Sequence, residues 1–290
     1  MNGKLLSVII VSYKNLEIVI DCLDSIRQFN DLGDALETII VDNSPETGIF
    51  DHVRAHYPEV TIVRNANRGF GQGNNVGAGI AVGRYLLFLN PDTILIEPVF
   101  RFAADRFERC ADLGLFGVKL VDAARRDNLS FYWIDRHSFW HAQLIKICNR
   151  LNIYLDGRMY IAGADIFIRR ELFLACGQFD ENIFMYYEEP DLTKRVRALK
   201  ARTAFFGNRK IVHLEGQASG SNEAALRRRL DSARYYCRKY SLSFTGQLKR
   251  EKRYERFKLL VFNLLRRGGA AGCRDNIRIY DEYLRQAGVQ

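Results

Sequence analysis

Phe88-Leu89-Asn90-Pro91-Asp92-Thr93 is the stretch that decides how this chain is read. Upstream, Arg84-Tyr85-Leu86-Leu87 carries the same apolar, aromatic run to strand length. Pro91 cannot donate to a β-ladder, so the strand must stop before Asp92. A carboxylate at the carboxyl end of a buried strand stands where open α/β folds place ligand-binding groups. Taken alone, Asn-Pro-Asp-Thr is more often a plain turn followed by a helix cap, so its neighbours have to decide.

Leu5–Tyr13 is dense in β-branched residues and reads as a buried first strand. Asn15 can cap a helix over Leu16–Phe29, with Val19, Leu23 and Ile26 at helical spacing. A second strand, Leu36–Val41, ends in Asp42-Asn43-Ser44. A helix around Ile49–Tyr57 then leads to a third strand, Val60–Val63. The loop Arg64–Gly73 opens a short helix through Val82, and the strand into Asn90 is the fourth. A helix over Glu97–Asp112 and a strand over Gly114–Leu120 follow. After an aromatic stretch, Val121–Asn152, come a strand over Tyr160–Ile168 and a helix near Arg170–Cys176. Thr203–Phe206 and Lys210–Val212 are two further strands. Nearly all-apolar strands alternating with helices predict a mostly parallel sheet with helices on both faces. Ser12-Tyr13, Asp42-Asn43, Arg64-Asn65 and Asn90–Asp92 all lie at carboxyl ends, and such tips converge on one crevice.

Three further stretches carry chemistry. In Asn67-Arg68-Gly69-Phe70-Gly71-Gln72-Gly73-Asn74-Asn75-Val76-Gly77, Asn74 and Val76 occupy the positions where a dinucleotide fingerprint requires glycine or alanine. That disfavours the nicotinamide reading, but a glycine-rich loop opening a helix can still offer backbone N–H groups to a phosphate or sugar. Its structural alternative is a tight turn with a packed Phe70. Tyr187-Glu188-Glu189-Pro190-Asp191 gathers three acids behind an apolar aromatic run, with Pro190 suited to the first turn of a helix over Asp191–Lys200. As structure this is a well-capped helix. As chemistry, carboxylates beside buried aromatics have perturbed ionisation, as a general base requires. His213 ends a strand, and there it is either structural or a ligand for a metal or a diphosphate.

Composition sets the outer limits. With 290 residues, 48% hydrophobic and 27% charged, the chain can build a real core. Six cysteines without C-x-x-C spacing argue for a reducing compartment and against a structural zinc. The N-terminus is unlike a signal peptide, and no apolar run approaches the roughly 20 residues a bilayer demands. A cytoplasmic protein is expected. The net charge of +9 is concentrated: Leu226–Arg267 holds 14 Lys/Arg and 3 Asp/Glu, which leaves the remainder slightly acidic. Leu226–Tyr240 reads as a helix, and Leu259–Leu265 is apolar between cationic clusters. That pattern fits a helix lying peripherally on an anionic membrane surface. It also fits a helix docked on the rest of the chain or on a second subunit in a homodimer. Nucleic acid is disfavoured, because no recognition motif is present.

These stretches together resemble the family 2 glycosyltransferases of the GT-A (Rossmann-like) fold, and their rhamnosyltransferase-like members in particular. The matching residues are Val8–Tyr13, Val41–Ser44, the Asn67–Gly77 loop, Phe88–Asp92, Gly177–Leu192 and His213-x-x-Gly216-x-x-Ser219, in order over about 5–220. The resemblance implies a catalytic domain over 1–222 and a basic helical extension over 223–290. It implies an inverting, metal-dependent transfer of a sugar, such as rhamnose, from a dTDP or UDP donor to a saccharide or lipid-linked acceptor of a bacterial surface polysaccharide. Asp42, beside Ser12 and Tyr13, matches the position that accepts the imide N–H of a pyrimidine base. Asn67, Gly69, Gly73 and Asn74 match the donor loop. Asp92 matches the metal-binding aspartate, with Asn90 replacing the first acid of a D-x-D element, and His213 completes the metal or diphosphate shell. Mg²⁺ or Mn²⁺ suits such a site. Glu189 stands where the family has its base, with Asp191 as substitute. Nucleotidyl transfer to a sugar phosphate would want a glycine-rich loop after the first strand, which Val11–Leu16 lacks. A non-catalytic nucleotide-sugar-binding module is the remaining alternative.

Overall fold

Alternate residues of the first strand go to opposite sides of one sheet. In β1 (Leu6–Ser12), Leu6, Val8 and Ile10 enter one apolar cluster while Ile9 and Val11 enter another. Both faces are therefore covered, as a parallel sheet demands. The protein is seen as a computed structural model that describes residues 3–45, 48–136, 138–214, 222–265 and 269–288.

After β1 come α1 (Leu16–Gln28), β2 (Leu36–Asp42), α2 (Ile49–His56), β3 (Val60–Arg64), α3 (Phe70–Ile80) and β4 (Tyr85–Leu89). Asn15 caps α1 as the sequence predicts, its side chain accepting from the Ile18 N–H at 3.3 Å. β5 (Thr93–Leu95), α4 (Phe100–Arg109), β6 (Leu113–Val121), β7 (Phe131–Trp133), α5 (Phe139–Arg150) and β8 (Met159–Ile161) follow. The second half continues with β9 (Asp165–Arg169), α6 (Arg170–Ala175), α7 (Glu188–Ala198) and β10 (Arg202–His213). The chain ends in α8 (Asn222–Lys239), α9 (Phe244–Leu264) and α10 (Ala270–Gln286). The main sheet runs β3-β2-β1-β4-β9-β6-β10-β5, parallel except for β9 and β5. Residues from α1, α2 and α4 fill one face, and residues from α3, α5, α6 and α7 fill the other. A third cluster joins α8, α9 and α10 around Leu230, Leu248, Ile279 and Tyr283.

The sheet has to curl. β4 and β5 lie four strand places apart, about 19 Å in a flat sheet, yet the chain from Leu89 to Thr93 reaches at most about 14 Å. A register shift in β10 between Phe206 and Lys210 accommodates the bend, since a bulge sharpens local twist. The two strands expected over 203–212 are thus one irregular strand.

Tyr160–Ile168, expected as one strand, is two. β8 pairs with β7 in a separate ribbon, and β9 inserts antiparallel between β4 and β6. The break falls at Gly163, where an added Cβ would lie 2.7 Å from Glu189 Oε1. The aromatic 121–152 stretch holds β7 and α5, which pack Phe131, Trp133, Ile145 and Cys148 onto the second face. Buried Lys119 pins it, donating to Asn149 O at 2.6 Å and pairing with Asp127 at 3.1 Å. All six cysteines are free thiols.

Candidate active site

The parallel register places Ser12 beside Asp42 and Asp42 beside Arg64 at the carboxyl edge of the sheet. Asp42 is buried. Its Oδ1 accepts from Ser12 Oγ at 3.3 Å and from the Ser44 N–H at 3.0 Å, which leaves Oδ2 for a ligand. Ser44 Oγ in turn accepts the Lys14 N–H at 2.8 Å. Tyr13 stands exposed at the mouth, with the Lys14 ammonium 5.0 Å from its ring. Behind them, Asn65 Nδ2 donates to Asn43 Oδ1 at 2.8 Å and to Gln72 Oε1 at 2.7 Å, tying β2, β3 and α3 together.

The Asn90-Pro91-Asp92 turn is fixed from two sides. The Asn90 N–H donates to Ala164 O at 3.0 Å, and the Leu214 N–H donates to Asp92 O at 2.9 Å. Because β5 pairs with the end of β10, His213 faces Thr93, and His213 Nε2 lies 3.2 Å from Asp92 Oδ1. Two donors on adjacent positions of an octahedral cation with bonds of about 2.1 Å stand about 3 Å apart, so this spacing fits one shared ion. A carboxylate and an imidazole, with Asn90 two positions before Asp92 in the same turn, supply O and N donors of a kind that suits Mg²⁺ or Mn²⁺. Among the described residues no group of three His, Cys, Asp or Glu side chains converges, so remaining positions would fall to ligand oxygens.

The acids arrive on the first turn of α7, which begins at Glu188, three residues earlier than Asp191. Tyr186 and Tyr187 precede it with φ of +67° and +72°, a left-handed pair costing about 1–3 kcal/mol each. C-terminal helices clamp that pair. Ser232 Oγ donates to Met185 O at 2.7 Å, Gln247 Nε2 donates to the Tyr187 hydroxyl, and the Tyr187 and Tyr236 rings lie 5.1 Å apart. Glu188 is fully enclosed; burial first, and then the Glu189 charge, push its carboxyl well above the usual range. Its Oε2 has no partner among the described residues. Half-buried Glu189 is pushed up to about 7 by burial, with the Gly163 N–H holding it down. Of the two, only Glu189 can be ionised near neutral pH and still reach solvent, as a general base must. Glu189 touches Gly163, and Asn90 bonds to the next residue, Ala164. Glu189 and the turn are thus tied to adjacent residues.

Residues 7–174, more than half of the chain, match the family described as Glycosyl transferase family 2. The chain belongs to that family. It is a glycosyltransferase, and its sheet is that of the GT-A fold. No curated protein matches it. Among solved structures it resembles the mannosyltransferase PcManGT from Pyrobaculum calidifontis in complex with GDP-Man and Mn²⁺ at TM-score 0.58 and 16% identity, over 97% of this chain and 70% of that one. It resembles S. aureus TarS at 0.55 and 16%, over 80% and 40%. It resembles GalNAc-T7 with UDP, GalNAc and Mn²⁺ at 0.58 and 16%, over 79% and 47%. The chain therefore spans less than half of the last two.

Within this glycosyltransferase, one sequence expectation fails. Asp191 cannot substitute as the base. It is wholly buried, and its Oδ2 meets Arg195 at 2.7 Å while its Oδ1 takes Lys239 at 2.5 Å and the Tyr240 hydroxyl at 2.8 Å. Wholly buried and met by a cation on each oxygen, this carboxylate is out of an acceptor's reach. The donor-loop residues also have packing roles. Gly69, at φ +115°, lets α3 meet the Phe184 carbonyl, which accepts the Phe70 N–H at 2.8 Å; Gly73 faces Val11 and Asn43. Buried Asn74 donates to Phe70 O at 3.0 Å, and exposed Asn67 accepts the Gly69 N–H at 3.3 Å. Gly216 and Ser219 of the family pattern lie outside the described residues. Sequence reading passed over Asp165, which opens β9 at this edge. Its carboxyl is pushed well above the usual range by burial and accepts the Val118 N–H at 2.6 Å. Its one sequence cue was an acid inside an apolar run, two residues after the isolated Gly163.

Proposed function

We propose that this glycosyltransferase moves a sugar, rhamnose, from a dTDP or UDP donor to a saccharide or lipid-linked acceptor in bacterial surface polysaccharide synthesis, inverting the anomeric carbon. The reading rests above all on Glu189, a carboxyl poised near neutrality and tied through residues 163 and 164 to the Asn90-Pro91-Asp92 turn. Glu189 takes the proton of the acceptor hydroxyl as that oxygen bonds the anomeric carbon. The bond to the diphosphate oxygen breaks on the opposite face, carrying the electron pair to the leaving nucleoside diphosphate. Asp42 Oδ2 accepts the imide N–H of uracil or thymine, held in place by Ser12 and Ser44. Tyr13 offers its open ring at the base's edge of the crevice.

The neighbours solved with Mn²⁺ and a nucleotide or nucleotide sugar bring a divalent cation, Mg²⁺ or Mn²⁺, into the reading for this chain. Asp92 and His213, with Asn90 alongside, would hold it. When bound it neutralises charge on the departing diphosphate and orients it. Residues 1–222 would form the catalytic unit and 223–290 the extension that braces it. The test is a screen of dTDP, UDP and GDP sugars with Mg²⁺, Mn²⁺ or EDTA, following nucleoside diphosphate release with a saccharide acceptor. Turnover of dTDP-rhamnose, lost in EDTA, is expected. Turnover confined to GDP sugars would overturn the pyrimidine assignment, and equal rates in EDTA would overturn the metal.

A further inference from the structure

Large apolar side chains stand exposed on two adjoining helices. On α5, Trp140 (77% exposed), Leu144 and Ile147 share one face, continued by Leu151, whereas Ile145, Cys148 and Asn149 point into the core. On α9, Phe257, Leu260 and Leu264 recur at i, i+3 and i+7, with Leu264 at 78%. The Phe139 ring lies 5.4 Å from Phe257 and 5.8 Å from Tyr254 on one side and 5.3 Å from Trp140 on the other, so it bridges the two strips.

Followed toward the start of α9, the same stripe becomes cationic at Lys249, Arg253 and Arg256. These line a recess of about 610 Å³ against Arg285 of α10. Lys252 is neutralised by Asp281, but Lys249, Arg253, Arg256 and Arg285 have no ion-pair partner among the described residues. α8, rich in arginine, is engaged elsewhere: Arg227 pairs with Glu282 at 2.7 Å, Arg229 with Glu251 at 2.5 Å, and Lys239 with Asp191.

An exposed apolar patch beside unneutralised cations marks an interaction surface. A second copy in a two-fold dimer would bring the cationic rim toward itself. Nucleic acid would satisfy the cations and leave Trp140 and Leu264 in water. An anionic bilayer answers both halves, with phosphates for the cations and the acyl boundary for the apolar strip. Among the described residues no helix is long and apolar enough to cross a membrane, so contact would lie in the plane.

We propose that α5 and α9 together dock this enzyme on an anionic phospholipid surface, with Trp140 and Leu264 entering the acyl boundary and the Lys249–Arg256 stripe over lipid phosphates. This deepens the lipid-linked acceptor reading by naming the surface that would meet the lipid. The test is flotation of the full chain with phosphatidylcholine vesicles, with and without about 30% phosphatidylglycerol, in the absence of donor. Binding to the anionic vesicles alone is expected, with a blue shift in tryptophan emission that Trp140→Phe removes, since Trp133 is buried. The triple variant Lys249→Glu/Arg253→Glu/Arg256→Glu should lower partitioning about 100-fold. Trp140→Glu/Leu264→Glu should lower it at least about ten-fold, with turnover on a soluble acceptor unchanged in both variants. Equal binding to both vesicles, wild-type binding by both variants, or an absence of binding together with a dimer that Trp140→Glu/Leu264→Glu dissociates would each overturn the proposal. Vesicle binding is read without turnover, so its failure leaves the donor assignment standing, and a failed donor screen leaves this surface standing.

Discussion

Asp191→Asn and Glu189→Gln differ in what they remove, and the difference can be measured. Asp191 ties Arg195 of its own helix to Lys239 of α8 and to Tyr240 just beyond it, with no exposure. An asparagine there leaves two cations facing one amide oxygen, and breaking a buried pair in this way costs about 3–5 kcal/mol. At the larger-domain conversion this is a fall in Tm of about 6–20 °C. Turnover per folded molecule should change only a few-fold, because Asp191 never meets the acceptor. Glu189→Gln should do the reverse. Its carboxyl is held up to about 7 by burial, so replacing the ionised form above that pH returns about 1–3 kcal/mol of stability, discounted for partial exposure. Loss of the base should lower kcat about 10²–10⁴-fold. Thermal denaturation at pH 8 and nucleoside diphosphate release on the same samples test both. If Asp191→Asn abolished turnover at an unchanged Tm while Glu189→Gln kept it, the assignment of the base would be reversed and the ion-pair account of Asp191 refuted.

The rate should depend on pH through Glu189. Its proton must be absent for it to act, so kcat should fall below about pH 7, and a flat profile between pH 5.5 and 8 would exclude it. Stability should move the opposite way: between the ordinary 4.5 and about 7 the folded chain holds a proton that the unfolded chain has lost, so this group's contribution declines as pH rises through that window. Asp92→Ala should abolish Mn²⁺-stimulated turnover and lower Mn²⁺ affinity in calorimetry, whereas His213→Ala should weaken affinity roughly 10–100-fold and leave activity at saturating metal. Gly69→Ala should destabilise by more than about 2 kcal/mol, since φ is +115° and the added carbon meets the Phe184 carbonyl, whereas Gly79→Ala, exposed on α3 with nothing within 4 Å, should stabilise by about 0.5–1 kcal/mol in urea denaturation.

What could be read in advance followed from local chemistry. The β-branched runs of β1 and β2, the Asn15 cap and the stop at Pro91 are each decided by a few neighbouring residues, and the structure places them as their sequence predicts. The converging tips were legible for the same reason, since strand direction alone sends Ser12, Asp42 and Asn90 to one edge. Non-local contacts were not legible. Nothing near Gly163 reveals that Glu189 packs against it and splits β8 from β9. Nothing near Asp191 reveals that Lys239, 48 positions on, neutralises it. Pro190 suggested that α7 begins beside it, but the turn starts at Glu188 because tertiary clamps hold Tyr186 and Tyr187 left-handed. The apolar run 259–265 was visible, while its companion strip on α5 could be recognised only once Phe139 was seen against Phe257.

With Glu189 as the proposed base, the grip of α8 and α9 on Met185 and Tyr187 would make those helices participants in turnover. Two uncomfortable backbone conformations lead into Glu189, and the groups restraining them, Ser232 and Gln247, are drawn from helices a family match ending at 174 does not reach. Exchanging those helices for others would release this corner and shift Glu189 before it loosened the sheet.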